Sequence, residues 1–132
     1  MIIKIPGFSR GIGVIRVDSS SSLYSTVDYL LATSVAPYLC TYINNPIHWR
    51  LAVIGDKAVA ACRNQVEAGD FRSYAGVDPA DYFENAGQSL LAVAIQACQA
   101  LRVEFGGVDI LEHSSGRLYP LEANFPCYFA TA

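Results

Sequence analysis

The run Phe105-Gly106-Gly107-Val108-Asp109-Ile110-Leu111-Glu112-His113-Ser114-Ser115-Gly116-Arg117-Leu118-Tyr119-Pro120-Leu121-Glu122-Ala123-Asn124 decides the fold. Two stretches in which apolar and polar residues alternate flank a Ser-Ser-Gly segment, the pattern of two antiparallel strands joined by a tight turn. A two-residue turn at Ser115-Gly116 places Asp109 directly opposite Glu122. Side chains alternate along a strand, so Asn124 shares their face, while Val108, Ile110, Leu121 and Ala123 face the core. Two carboxylates directly opposite on a sheet repel. A divalent cation, a solvated polar face and an acid/base pair sharing a proton each relieve that repulsion. Asp, Glu and an amide carbonyl are the hard oxygen donors that magnesium and manganese take.

Working outward from that hairpin, Phe83 to Leu101 reads as a helix with Leu90, Leu91, Ala94, Ile95, Cys98 and Leu101 on one apolar stripe. Trp49–Ile54 and Lys57–Cys62 flank Gly55-Asp56, a glycine-first pair that suits a type II′ hairpin. Between these elements, 64–80 is less regular. Nearer the start, Ile2–Ile5 and Val14–Val17 form strands around a glycine-rich tip, and Tyr38–Ile43 forms another strand. The serines at 19–22 cap a helix that carries Leu23, Val27, Leu30 and Leu31 and stops before Ala36-Pro37. Hairpins alternating with two main helices make the class α+β, with a largely antiparallel sheet.

The composition narrows the function. The chain has 132 residues, 52% of them hydrophobic and 16% charged, with a formal net charge of −3. That length suits a single domain with its own core. An acidic balance with no basic cluster excludes electrostatically driven nucleic-acid binding. No apolar run reaches the roughly 18 residues a membrane span needs, and no signal peptide is visible before Pro6-Gly7, so the expected location is the cytoplasm. Cys40, Cys62, Cys98 and Cys127 lack metal-ligand spacing and read as buried thiols of a reducing compartment. Lys4 precedes the segment Pro6–Gly13, whose Gly7, Gly11 and Gly13 allow close backbone approach to an anion, although a lone glycine-rich hairpin is often only a mobile turn.

Taken in order, these pieces resemble a known family. They are Ile3-Lys4-Ile5-Pro6, Ser9–Val14, Leu39–Ile43, Arg50–Lys57, Glu67-Ala68-Gly69-Asp70-Phe71-Arg72-Ser73, Gly107–Leu111 and Leu121–Asn124. The series is similar to the carboxy-terminal part of the ATP-grasp domain of RimK-type ligases, from Lys4 to Asn124. Gly-Asp-Phe-Arg, Gly-Val-Asp and Glu-x-Asn are specific in combination. The resemblance implies an ATP-grasp fold, truncated at its amino-terminal side, that holds ATP between two sheets. It implies a glycine-rich hairpin and hinge over 1–45 and a metal- and phosphate-binding part over 46–132.

By the same resemblance, Lys4 contacts the nucleotide, Gly11 and Gly13 belong to the loop over the phosphates, and Thr41 and Tyr42 form the hinge at the adenine edge. Arg72 is the catalytic arginine near the transferred phosphate, and Asp109, Glu122 and Asn124 ligate magnesium or manganese. The activity implied is a carboxylate–amine ligase acting on small-molecule or peptide carboxylates and amines through an acyl phosphate. The alternative is a degenerate, non-catalytic ATP-grasp remnant that binds nucleotide, oligomerises or docks a partner.

The chain departs from the family pattern at five points. It begins at what would be the second nucleotide-contacting lysine, so a completing amino-terminal partner or a homo-oligomer is expected. Cys40-Thr41 stand where Gln-Glu is usual, and His48 stands where an acidic ribose contact is expected. Tyr74-Ala75-Gly76-Val77-Asp78 lacks the family's basic stretch, and Phe125, Tyr128 and Phe129 leave an exposed apolar end.

Overall fold

The computed structural model describes residues 1–66, 69–74 and 86–127, with backbone alone for 64–66 and 73–74. It divides into two compact units, Met1–Ile43 and Asn44–Ala132.

In the first unit, β1 (Ile2–Lys4) lies between β2 (Val14–Arg16) and β3 (Tyr38–Cys40), and both pairings are antiparallel. Helix α1 (Ser20–Ala32) starts at Ser19, whose side chain and that of Ser22 cap each other's backbone N–H. Alternation along β1 turns Ile3 toward α1, where it packs with Val17 and Leu30 and is flanked by Leu23 and Val27. Leu31 is 56% exposed and lies off that stripe, since it falls one residue round the helix from buried Leu30. The helix also stops earlier than Ala36-Pro37 implied. Thr33 is its C-cap, Ser34 turns left-handed, and the Val35 N–H returns to the Leu30 carbonyl. Likewise β3 ends at Cys40, so 41–43 are not strand.

The second unit is built on an antiparallel sheet in the order β6-β5-β4-β7-β8, formed by β4 (Ile47–Ile54), β5 (Lys57–Val66), β6 (Ser73–Tyr74), β7 (Phe105–Glu112) and β8 (Leu118–Asn124). β5 therefore continues through residues expected to be irregular, and β6 pairs with its end. Ile54 opposes Lys57 across a two-residue turn. Gly55 has φ 60° and Asp56 is not among the positive-φ residues, which is the II′ form.

Helix α2 (Gln88–Leu101) covers one face of this sheet. Leu90, Ala94 and Cys98, four residues apart, pack on Trp49, Leu51, Val53, Val108 and Ile110. Gly87 is its N-cap, so the helix starts later than Phe83; residues 83–85 lie outside the described ones. Leu101 is 60% exposed in the last turn, where the chain reverses through left-handed Arg102 and misses the sheet. Replacing Arg102 by glycine is expected to stabilise the fold by about 0.5–1 kcal/mol, because glycine reaches φ 55° without a Cβ penalty. A urea midpoint that does not rise would contradict this.

Cys62 and Cys98 are buried, whereas Cys40 and Cys127 are only half-buried. Among the described residues, no helix is long and apolar enough to cross a membrane. Phe125 is exposed, while Tyr128 and Phe129 lie outside the described residues.

Candidate functional site

The face of the second sheet opposite α2 carries the carboxylates, because β7 buries Val108 and Ile110 against the helix and turns Asp109 the other way. Asp109 opposes Glu122, as expected, and Gly107 opposes Asn124. The route to that register is different, however. The hairpin closes with a three-residue loop: the Gly116 N–H donates to the His113 carbonyl and the His113 N–H to the Arg117 carbonyl, at 2.8 and 2.9 Å. Gly116 supplies the positive φ such a loop needs. That loop pairs Ile110 with Pro120, one residue out of step, and a bulge at Leu121 restores the step before Glu122. Leu121 consequently leaves the core face and is 44% exposed. Pro120, which has no N–H to donate, is tolerated because β8 is an edge strand.

The Asn124 amide nitrogen donates to Asp109 Oδ2 and to Glu122 Oε1, 3.1 Å from each. Two carboxylate oxygens thus converge on a single point. Among the described residues no three His, Cys, Asp or Glu side chains form a metal-ligating group; the side-chain amide that lies beside both carboxylates is that of Asn124. A half-turn of that amide exchanges nitrogen for oxygen. The resulting set of hard oxygens fits magnesium or manganese.

Arg50 completes the cluster. It lies on β4 between Cys62 of β5 and Asp109 of β7 and grips Asp109 with both prongs, Nε to Oδ1 at 2.7 Å and Nη2 to Oδ2 at 2.6 Å. The pair is mostly shielded, with 20% of the arginine and 14% of the aspartate side chain exposed. Burial raises the Asp109 carboxyl above its ordinary range against the pull of Arg50, and the hydrogen bond to Asp109 raises the guanidinium in turn. The motif reading missed this role. Its signal was an arginine inside the otherwise apolar run Trp49–Ile54. One strand position away, the Trp49 indole N–H donates to Glu112 at 2.7 Å and ties β4 to β7. His48 shares the Arg50 face, and burial lowers its pKa from the ordinary value.

Gly107 is required on this face by contact. A Cβ there would lie 2.6 Å from the Cβ of Cys127, so the chain after β8 folds directly over the strand. Arg72 lies just ahead of β6 and pairs with Asp70 at 2.8 Å, while Asp70 also accepts the Phe71 and Arg72 N–H groups. The Arg72 hydrogen bonds hold Asp70 well below the usual carboxylate range.

The remaining predicted residues belong to the first unit. Lys4 is half-buried on β1, opposite Val14 and Tyr38, on the side of the strand away from Ile3. Gly11 and Gly13 have positive φ in the loop between β1 and β2; the Gly13 carbonyl accepts from Ile5 and that of Gly11 from Val14. Thr41 is exposed after β3. Tyr42 is held by Arg16, whose guanidinium lies 4.3 Å from the ring centroid and donates to the phenol oxygen at 3.3 Å.

A family model described as a RimK-like ATP-grasp domain matches residues 1–126. A probable alpha-L-glutamate ligase of Mannheimia succiniciproducens is 32% identical over 125 residues, which are 93% of this chain and 42% of that protein. Probable alpha-L-glutamate ligase 2 of Shewanella amazonensis is 32% identical over 130 residues, 94% of this chain and again 42% of the relative. The chain therefore spans less than half the length of these relatives. Among solved structures, the ATP-grasp ligase PsnB complexed with precursor peptide PsnA2 and AMPPNP superimposes with a TM-score of 0.69 at 19% identity, over 97% of this chain and 38% of that one. PsnB with minimal precursor, Mg and ADP gives 0.64, also at 19% identity and with the same coverage. The shared α+β architecture, together with a family match over nearly every residue, identifies this chain as a member of the RimK-like ATP-grasp domain family.

Proposed function

We propose that this chain binds ATP with magnesium and serves a carboxylate–amine ligase reaction. The observation that carries the reading is the convergence of Asp109 and Glu122 on the Asn124 amide, held in register by the Leu121 bulge. In the reaction, a carboxylate oxygen attacks the γ-phosphorus of ATP, the bond to ADP breaks, and an acyl phosphate forms. An amine nitrogen then attacks the acyl carbon, phosphate leaves and the amine loses a proton. Bound magnesium supplies charge neutralisation at the phosphates. Asp109, Glu122 and Asn124 hold it, and manganese fits the same donors.

The other roles follow from chemistry and family position. Lys4 places a cation on the nucleotide phosphates, and Gly11 and Gly13 let the loop backbone approach them. Thr41 and Tyr42 meet the adenine edge, so residues 1–45 serve the nucleotide and 46–132 the metal and the transferred phosphate. Arg72, oriented by Asp70, stabilises charge on that phosphate. The acceptors are a small-molecule or peptide carboxylate and an amine of the amino-acid class.

Calorimetric titration of the chain with ATP tests this, run once with magnesium and once with EDTA. Binding is expected with magnesium only. Heat of binding that is unaffected by EDTA would remove the metal from the reading. No binding in either condition would favour the non-catalytic remnant, in which the Arg50–Asp109 pair is a structural tie.

A further inference from the structure

We propose that Arg50 is a resident counter-ion that competes with the divalent cation for Asp109 and so keeps the site weak for free metal. The inference rests on the reading of Asp109, Glu122 and Asn124 as metal ligands. Both Asp109 oxygens already accept guanidinium donors at 2.6 and 2.7 Å, and Oδ2 accepts the Asn124 amide as well. The Arg50 charge therefore stands beside the point where the cation would sit, in a pair largely screened from water. Counting formal charges, Arg50 with Asp109 and Glu122 leaves the cluster at −1; without the guanidinium it would be −2. A dication is attracted less strongly by the first than by the second, and partial burial strengthens the difference. The geometry also couples metal to anion. A phosphate group arriving with the metal offsets the guanidinium charge, so the cation is taken up as its phosphate complex rather than alone. Arg50 is thus a positioning residue that sets when the metal binds.

The test uses the whole chain with Mn²⁺ as the probe, no nucleotide present, and free Mn²⁺ followed by electron paramagnetic resonance. Arg50→Gln is expected to bind Mn²⁺ at least about tenfold tighter than wild type. Arg50→Lys, which keeps the charge and loses the fork, should stay within about threefold of wild type. A purely structural tie would weaken binding in both variants. If Arg50→Gln binds no tighter than wild type while Asp109→Asn loses binding, the competition is wrong and the ligand assignment stands. If no variant binds Mn²⁺ even with ATP added, the ligand assignment falls and this proposal with it. The wild-type chain gives an independent reading should Arg50→Gln fail to fold. The NMR resonance of Arg50 Nε–Hε, held by Asp109 Oδ1, should shift on saturation with Mg²⁺ and ATP together, and a resonance that stays in place overturns the proposal.

Discussion

Asp109→Asn is expected to abolish magnesium-dependent ATP binding, lowering affinity at least about 100-fold, while the fold persists. The substitution is isosteric and leaves β7 in register, since Val108 and Ile110 still anchor it against α2. It removes one of the two charges that attract the cation and replaces an oxygen that both Arg50 and Asn124 now use. Arg50 is left without its counter-charge, but the guanidinium is 20% exposed and can turn to water. The stability cost is therefore about 1–2 kcal/mol, below the 3–5 kcal/mol typical of fully buried pairs. Calorimetry for binding and urea unfolding for stability separate the two effects. Unimpaired magnesium-dependent binding would show that Asp109 is no ligand, and loss of the cooperative transition would show that the ion pair is structural above all.

Leu51→Ala should be the most destabilising single truncation, at about 3–4 kcal/mol. Leu51 has no exposed surface and sits mid-sheet on β4, between Ala61 of β5 and Val108 of β7, under α2. Its neighbours Ala61 and Ala94 are too small to fill the space, and the three strands around it are locked by their ladders, so the cavity persists. A loss of this size is a large share of the ~5–15 kcal/mol that holds a domain together. The urea midpoint should fall with little change in slope. A loss below about 1 kcal/mol would mean that α2 settles into the gap.

Much of this molecule was legible in its sequence, for definite reasons. Strand alternation across Val108–Ile110 and Glu122–Asn124 is a local property with a period of two, so the face that Asp109 shares with neither Val108 nor Ile110, and the one that Glu122 shares with Asn124, followed from pattern. The serine cap of α1 and the glycine-first turn at Gly55 are likewise local backbone chemistry. Helix ends were less legible: Leu31 and Leu101 fit the helical period but lie where the partner surface turns or stops.

Register and charge pairing were decided by tertiary structure. A two-residue turn and a straight ladder put Asp109 opposite Glu122; so do a three-residue loop and a bulge at Leu121, and nothing in the order of residues distinguishes the two. Leu121 was assigned to the core for that reason. Arg50 and Asp109 are 59 positions apart along the chain and meet only because β4 and β7 pair. Sequence by itself determined the class of fold, the face that carries the oxygens and the family. Only the folded chain decided that a guanidinium already occupies Asp109, because long-range pairing depends on the free energy of the whole sheet rather than on any local preference.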